Sequence, residues 1–192
     1  MLETSPRLGH VYRRAMGRWF DYTASDFDER GHRAEVRLDL QDIELPDGSL
    51  DGILSSHVLE HVPDTDRALA ELRRVLSPGG SLYLQVPLLQ GRTAPPAVPE
   101  FHGDDTPVFW RFGWDLVERM EAAGFTTTPL IPATFFSDEP DVPPPTGEFD
   151  IADILDTAPR DRLVVLGDQR AADQEGFRPG YMFATFEGVA AG

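Results

Sequence analysis

The chain of 192 residues contains no cysteine, which excludes disulfide bonds, thiolate nucleophiles and zinc sites with cysteine ligands. It has no run of about 20 apolar residues, the length that spans a membrane, and no signal peptide before Glu3. Basic residues are also scarce, with 17 Lys and Arg against 33 Asp and Glu, and the formal charge of −16 disfavours a nucleic-acid partner. We therefore expect a cytoplasmic protein that contacts neither membrane nor nucleic acid.

The clearest pattern in the chain is the stretch 50–87, LDGILSSHVLEHVPDTDRALAELRRVLSPGGSLYLQVP. Two short apolar runs typical of strands in a parallel sheet lie at 52–54 and 82–86. Between them, leucines recur at helical spacing, at Leu69, Leu72 and Leu76. Asp64 or Thr65 can cap the start of this helix, and the Pro-Gly-Gly at 78–80 is predicted to end it. The stretch therefore predicts a βαβ unit with a right-handed crossover.

Three further segments are predicted to be helices, at 8–20, 110–124 and 149–155. The first has apolar residues available for an inner face, at Val11, Ala15, Trp19 and Phe20. The second has a comparable apolar side, formed by Phe112, Leu116, Met120 and Ala123. Gly124 is predicted to end this second helix.

Strand-like runs occur at 21–25, 34–38, 126–136 and 181–189. Pro129 and Pro132 predict that the third run lies at a sheet edge or carries a bulge, because proline has no N–H to donate. Since strands and helices alternate, we expect a single α/β domain over 1–192 with an open, mainly parallel, doubly wound sheet. The proline-rich region 137–180 is predicted to be a mobile insertion before the last strand.

Polar residues follow several of the predicted strands. In doubly wound sheets the ligand lies at the carboxyl ends of the strands, near the point where the strand order reverses. The candidate strand ends carry Glu3, Asp26, Asp39 and the sequence Ser55-Ser56-His57. An acid after the second strand can accept hydrogen bonds from both ribose hydroxyls of an adenosine ligand, and one after the third can accept the adenine amino group. This arrangement indicates an adenosine-containing ligand.

Two further sequence segments are distinctive, LDLQDIELPDGSLDGILSSHVLEHV and RALAELRRVLSPGGSLYLQVP. They resemble the class I S-adenosylmethionine-dependent methyltransferases, specifically the small-molecule group often called type 11. The resemblance covers 21–87 well and 101–125 more loosely. It implies a Rossmann-like sheet of seven strands with an antiparallel last strand. It also implies S-adenosyl-L-methionine as cofactor and methyl transfer to a small-molecule acceptor. The sequence carries no signal for an oligomeric state.

The resemblance also assigns site residues. Asp26 would hold the ribose, and Asp39 with the Leu40 backbone would hold the adenine. Ser55 to His57 would border the methionine end of the cofactor and the acceptor. The complete set implied to bind the cofactor is Glu3, Ser5, Gly9, Asp26, Asp39, Leu40, Ser55 and Ser56.

The loop 3–9, ETSPRLG, departs from the family pattern. Ser5 and Arg7 stand where glycines are expected to let the backbone approach the cofactor, and Pro6 stiffens the loop. An alternative therefore stays open, in which the chain is a non-catalytic binding or partner protein with a methyltransferase-like fold. In that alternative, Pro6 or Arg7 would fill the cofactor space.

Three histidines are candidate bases for an acceptor that carries a proton: His57, His61 and His102. For each of them, a hydrogen-bonded or solvent-exposed polar residue is the competing interpretation. The segment 57–61 also matches H-x-x-E-H, a zinc-peptidase pattern, but that chemistry needs a continuous helix and Pro63 follows closely, so we expect no metal site.

Two other interpretations carry less weight. The aromatic residues at 110, 112 and 114 could line an acceptor pocket, although helical spacing favours the core. A nicotinamide-dependent dehydrogenase is disfavoured because no G-x-G-x-x-G follows a predicted strand.

Overall fold

The computed structural model describes residues 1–28, 34–102, 105–132, 151–166 and 182–192. Its strands are β1 (Leu2–Thr4), β2 (Thr23–Asp26), β3 (Val36–Arg37), β4 (Leu50–Ser56), β5 (Leu76–Leu88), β6 (Glu100–Phe101), β7 (Pro107–Val108), β8 (Phe125–Pro132), β9 (Val164–Leu166) and β10 (Met182–Ala190). Its helices are α1 (His10–Trp19), α2 (Thr65–Val75), α3 (Leu116–Ala122) and α4 (Ile151–Asp156). A single 3₁₀ turn, Leu59–His61, follows β4.

Eight of these strands form one sheet in the order β3-β2-β1-β4-β5-β10-β8-β9. The strands from β3 to β5 in that order pair in parallel, as do β8 and β9. In contrast, β10 runs antiparallel to both of its neighbours. The mainly parallel α/β sheet with an antiparallel last strand is therefore confirmed, and β9 adds a short eighth strand. The other two strands, β6 and β7, form a small antiparallel pair.

The predicted βαβ unit consists of β4, α2 and β5. Asp64 caps α2, because its Oδ1 accepts a hydrogen bond from the Arg67 backbone N–H at 3.0 Å. One face of the helix is buried, formed by Thr65, Ala68, Leu69, Leu72 and Val75. The predicted stop at 78–80 is too late by several residues, because Leu76 already pairs with Leu50 in the sheet. Gly79, with φ at +79°, lies in the irregular first part of β5.

The predicted inner face of the first helix is wrong, since α1 contains no buried residue. The apolar residues proposed for that face are exposed, namely Val11, Ala15, Trp19 and Phe20. The half-buried side is formed by Tyr12, Arg13 and Met16 instead. It turns inward because Tyr12 interacts with the Glu3 carboxylate and Arg13 donates to the Pro6 carbonyl oxygen at 3.4 Å. None of the helices in the described ranges is long and apolar enough to cross a membrane.

The predicted helix 110–124 is shorter in the structure, where α3 begins only at Leu116. The preceding residues run alongside the segment after β5, because Phe112 pairs with Leu88 and Arg111 with Ala94. Gly113 is part of this close approach, since a Cβ there would collide with the Arg92 backbone.

The predicted edge position of the strand with two prolines is met only in part. β8 lies between β10 and β9 in the sheet. Within the described residues, β9 pairs with the end of β8, from Leu130 to Pro132. Pro129 lies before this pairing, where β8 has a partner on one side, whereas Pro132 pairs with Leu166.

Part of the predicted insertion 137–180 is ordered into the fold. Residues 151–166 contain α4, which confirms the predicted short helix, and β9, which joins the sheet. The other residues of the insertion lie outside the described ranges.

The packing of α2 on the sheet predicts a large cost for truncating its central leucine. Leu72 has no exposed surface, so Leu72→Ala should lower the free energy of unfolding by about 2–5 kcal/mol. Leu8→Ala is the matched control, because Leu8 is 58% exposed and its truncation should change stability by no more than about 0.5 kcal/mol. Urea unfolding followed by circular dichroism measures both values. Equal losses in the two variants would contradict the packing of α2.

Candidate functional site

The carboxyl ends of β1, β2 and β4 meet at one edge of the sheet, where the strand order reverses. Thr4 pairs with Ser25 on one side and with Ser55 on the other, and all three residues are buried. The Thr4 hydroxyl donates a hydrogen bond to Ser55 Oγ at 2.9 Å. In doubly wound sheets this edge is where ligands bind.

The first residue of the loop after β1 adopts the backbone form that glycine favours, although it is a serine. Ser5 has φ at +46°, in the left-handed region, and its N–H donates to the Ser25 carbonyl oxygen at 2.7 Å. Pro6 is buried and Arg7 is exposed. Beside Gly9, an added Cβ would meet no described atom within 4 Å. Among the described residues, nothing therefore covers the end of the loop at Gly9.

Glu3 lies within β1 rather than after it, because the strand extends to Thr4. Its Oε2 accepts a hydrogen bond from the Tyr22 hydroxyl at 2.6 Å. Burial, reinforced by the Glu3 carboxylate, raises the pKa of Tyr12 to about 12. Glu3 therefore connects β1 to α1 and to the segment before β2.

The two predicted nucleotide-binding acids, Asp26 and Asp39, lie at the ends of neighbouring strands. Asp26 is the last residue of β2 and is 7% exposed, and its Oδ1 accepts the Asp28 backbone N–H at 2.9 Å. Asp39 follows β3, and its Oδ1 accepts the Gln41 backbone N–H at 2.8 Å. Leu40, which lies between Asp39 and Gln41, is buried. In Asp26 and in Asp39, one carboxylate oxygen therefore accepts the backbone N–H two residues later, and this hydrogen bond orients the side chain.

The predicted serines at the end of β4 are held by side-chain hydrogen bonds across the sheet. Ser55 accepts from Thr4, and Ser56 donates to Gln85 Oε1 at 2.8 Å. Gln85 in turn donates to the Thr185 hydroxyl at 3.2 Å. These contacts connect β1, β4, β5 and β10 at one level.

The three candidate histidines and Glu60 form one group of side chains, which we call the histidine cluster. His57 Nδ1 lies 3.6 Å from Glu60 Oε1, and His61 Nε2 lies 4.0 Å from the same oxygen. His61 Nδ1 lies 2.7 Å from the Pro107 carbonyl oxygen. The His102 ring stands edge-on to that of His61, with ring centroids 4.6 Å apart. The structure therefore brings together all three histidines that the sequence singled out.

Glu60 is the member of the cluster that sequence reasoning missed. It is 1% exposed, and within the described part of the chain neither carboxylate oxygen has a hydrogen-bond partner. Its sequence signals are its place between two histidines, which matches the zinc-peptidase pattern, and its place in the HVLEHV segment of the methyltransferase resemblance. That pattern is not matched structurally, because a strand and a single 3₁₀ turn replace the continuous helix it needs.

Two of the three aromatic residues after β7 belong to the core, as predicted, although their segment is not helical, and Trp110 packs against the core. Phe112 and Trp114 are buried, and the Trp114 indole N–H donates to the Ile154 carbonyl oxygen at 2.7 Å. Trp110 is half-buried and donates to the Pro63 carbonyl oxygen at 3.0 Å. These contacts hold the segment between β7 and α3 against the sheet.

Residues 12–84 match a protein family described as a methyltransferase domain. A probable S-adenosylmethionine-dependent methyltransferase from Mycolicibacterium smegmatis is 31% identical over 124 residues, covering 62% of this chain and 46% of that protein. A solved structure of the Burkholderia thailandensis 1,6-didemethyltoxoflavin-N1-methyltransferase has a TM-score of 0.57 at 16% identity, covering 100% of this chain and 70% of that one. An S-adenosylmethionine-dependent methyltransferase from Mesorhizobium loti has a TM-score of 0.54 at 16% identity, covering 98% and 89%.

The similarity to solved structures and the similarity to curated sequences carry different information. At 16% identity, the solved structures establish a common fold. The chain spans between 13% and 46% of the length of the curated proteins that it matches.

The environment of His102 predicts a pH dependence of stability. Burial lowers the pKa of His102, and the neighbouring His61 lowers it further. A histidine with a lowered pKa in the folded state binds more protons when unfolded, so its contribution to stability is lost as the pH falls below about 6.5. We expect His102→Gln to make the free energy of unfolding decline less steeply between about pH 7.5 and 5.

Urea unfolding across this pH range measures the two slopes. His10→Gln, on the exposed surface of α1, is the matched histidine control. Identical slopes for His102→Gln and the unsubstituted protein would contradict the effect of partial burial on His102.

Proposed function

We propose that this chain is a class I S-adenosylmethionine-dependent methyltransferase and that it transfers the methyl group of S-adenosylmethionine to a small-molecule acceptor. The observation that carries the proposal is the placement of Asp26 and Asp39. They lie at the carboxyl ends of adjacent strands, beside the point where strand order reverses. Two oriented carboxylates in that position suit the hydroxyl and amino groups of an adenosine.

The residues present fit the cofactor along this edge. Asp26 would accept hydrogen bonds from the ribose hydroxyls, and Asp39 with the Leu40 backbone would hold the adenine. Ser55 and Ser56, at the end of β4, would border the methionine portion. Glu3 would act through its contacts with α1 and the segment before β2, since its side chain is engaged there.

The loop between β1 and α1 supports cofactor binding despite its missing glycines. Ser5 already holds a left-handed backbone, so the path that glycine usually allows is present. Gly9 at the end of the loop is exposed, so its backbone is open to a ligand on the side that the described residues leave uncovered. Of the two side chains that the non-catalytic alternative places in the cofactor space, Arg7 is exposed and Pro6 is buried.

The cofactor would supply a methyl group on a positively charged sulfur, which is a good leaving group. The protein would then mainly have to align the acceptor with that methyl group. An acceptor whose nucleophilic atom carries a proton also needs a base, and His57, His61 and His102 are the candidates. The fold shared with a methyltransferase bound to 1,6-didemethyltoxoflavin supports an acceptor of small size.

Binding of S-adenosylhomocysteine tests the cofactor assignment. We expect isothermal titration calorimetry to detect binding, and Asp26→Ala to weaken it by about 10- to 100-fold, the value of hydrogen bonds to a charged group. Asp51→Ala is the matched control, because Asp51 lies at the opposite end of β4 and is exposed.

Two outcomes would count against the proposal. No heat and no thermal shift at millimolar S-adenosylhomocysteine would refute cofactor binding and favour the non-catalytic alternative. Equal affinities of the unsubstituted protein and Asp26→Ala would refute the ribose assignment alone.

A further inference from the structure

The antiparallel hairpin formed by β6 and β7 is attached to the turn that follows β4. The carbonyl oxygen of Glu60 in that turn accepts the backbone N–H groups of Phe109 and Trp110 at 2.8 and 3.3 Å. The Trp110 indole N–H donates to the Pro63 carbonyl oxygen at 3.0 Å. Because Phe109 directly follows β7, these bonds connect the second strand of the hairpin to the carboxyl end of β4.

His61 is the side chain of the turn that contacts the hairpin. Its Nδ1 lies 2.7 Å from the carbonyl oxygen of Pro107, the first residue of β7. A carbonyl oxygen can only accept, so Nδ1 donates and carries a proton in the neutral ring as well as in the charged one. The ring of His61 also stands edge-on to that of His102, which follows β6, with centroids 4.6 Å apart. His61 therefore contacts both sides of the hairpin.

These contacts leave His61 poorly placed to act as the base. The ring nitrogen that could take up a proton is Nε2, and it lies 4.0 Å from Oε1 of Glu60, whose side chain is 1% exposed. The His61 side chain is itself 14% exposed. A general base has to reach the proton of the acceptor. In His61, Nδ1 is engaged with Pro107 and Nε2 is turned towards a buried side chain.

The hairpin lies across the edge where the strand order reverses. The His102 backbone N–H donates to the Thr106 carbonyl oxygen at 2.9 Å, which closes the hairpin. Burial and the neighbouring His61 lower the pKa of His102, and the positive charge of Arg7 lowers it further. Because electrostatic interactions weaken with distance, Arg7 in the loop after β1 lies near His102. The hairpin therefore reaches from the turn after β4 to the loop after β1.

We infer that His61 is a positioning residue, which holds the β6–β7 hairpin and His102 over the methionine end of the cofactor. The inference rests on the proposed function, in which the methionine portion lies beside Ser55 and Ser56 at the end of β4. It reduces the three candidate bases to His57 and His102. The adenosine portion lies further along the sheet edge, at the ends of β2 and β3, and is outside the reach of the hairpin.

Two substitutions separate the hydrogen bond of His61 from its other effects. His61→Leu removes the donor to the Pro107 carbonyl oxygen. His61→Asn keeps a donor, because the amide nitrogen of asparagine stands at the same position along the side chain as Nδ1. We expect His61→Leu to release the hairpin and His61→Asn, the matched control, to retain it.

Hydrogen exchange followed by nuclear magnetic resonance measures the attachment of the hairpin without any ligand. In His61→Leu, the amide protons of Phe109 and Trp110 should exchange about three- to tenfold faster, because a lost hydrogen bond makes local opening easier. In His61→Asn, their exchange should stay within about twofold of that in the unsubstituted protein. The amides of β10, inside the sheet, are the internal control and should not change.

Spectra of ¹⁵N-histidine-labelled protein provide a test that needs no folded His61→Leu variant. In the unsubstituted protein, the neutral ring of His61 should carry its proton on Nδ1, because that nitrogen donates to Pro107. The His61 resonances are assigned by their absence from the spectrum of His61→Asn.

The binding of two ligands tests where the hairpin acts. S-adenosylhomocysteine contains the amino-acid portion of the cofactor, whereas 5′-methylthioadenosine lacks its amino and carboxyl groups. In His61→Leu, isothermal titration calorimetry should show about three- to tenfold weaker binding of S-adenosylhomocysteine. The affinity for 5′-methylthioadenosine should stay within about twofold, because the hairpin does not reach the adenosine portion. His61→Asn should bind both ligands as the unsubstituted protein does.

The outcomes distinguish this inference from the function on which it rests. A neutral His61 with its proton on Nε2, unchanged exchange at Phe109 and Trp110 in His61→Leu, or equal acceleration in β10 would overturn the attachment of the hairpin by His61. Faster local exchange with equal affinity changes for the two ligands would overturn its placement over the methionine end. Faster local exchange in a protein that binds neither ligand would retain His61 as the attachment of the hairpin and refute the proposed function together with that placement.

Discussion

The parallel pairing of β1 between β2 and β4 is the constraint on which the candidate site depends. Thr4 lies opposite Ser25 and Ser55, so the three strands end at the same level. A slip of one residue would turn every side chain to the other face of the sheet, and the apolar core forbids this. The packing that stabilises the fold therefore also determines where Asp26 and His57 leave the sheet.

The order of the elements could be predicted because buried parallel strands are short apolar runs and the site residues directly follow them. Asp26 and the Ser55–His61 segment were found in this way. The inward face of α1 could not be predicted, because apolar periodicity takes no account of partners that are distant in sequence. Tyr12 and Arg13 turn inward towards Glu3 and Pro6, whereas Trp19 is 82% exposed.

Glu60 illustrates the same limit of local sequence reasoning. Its burial depends on a segment almost fifty residues later, because its carbonyl oxygen accepts the backbone N–H groups of Phe109 and Trp110 at 2.8 and 3.3 Å. A five-residue pattern reveals that a glutamate lies between two histidines, but not that the chain closes over it. A buried charge with incomplete hydrogen bonding violates the usual rules of a stable core, and such violations are expected at functional sites.

Two residues with left-handed backbones flank the point where strand order reverses, Ser5 after β1 and His57 after β4. Both are held by hydrogen bonds from their own N–H groups to a neighbouring strand, at 2.7 and 2.9 Å. Those bonds let the sheet impose a conformation that neither side chain favours. Ser5 therefore holds the turn that a glycine would adopt, but it keeps a Cβ and a hydroxyl where a glycine has none. Both its backbone conformation and its side chain bear on how closely a cofactor can approach this edge.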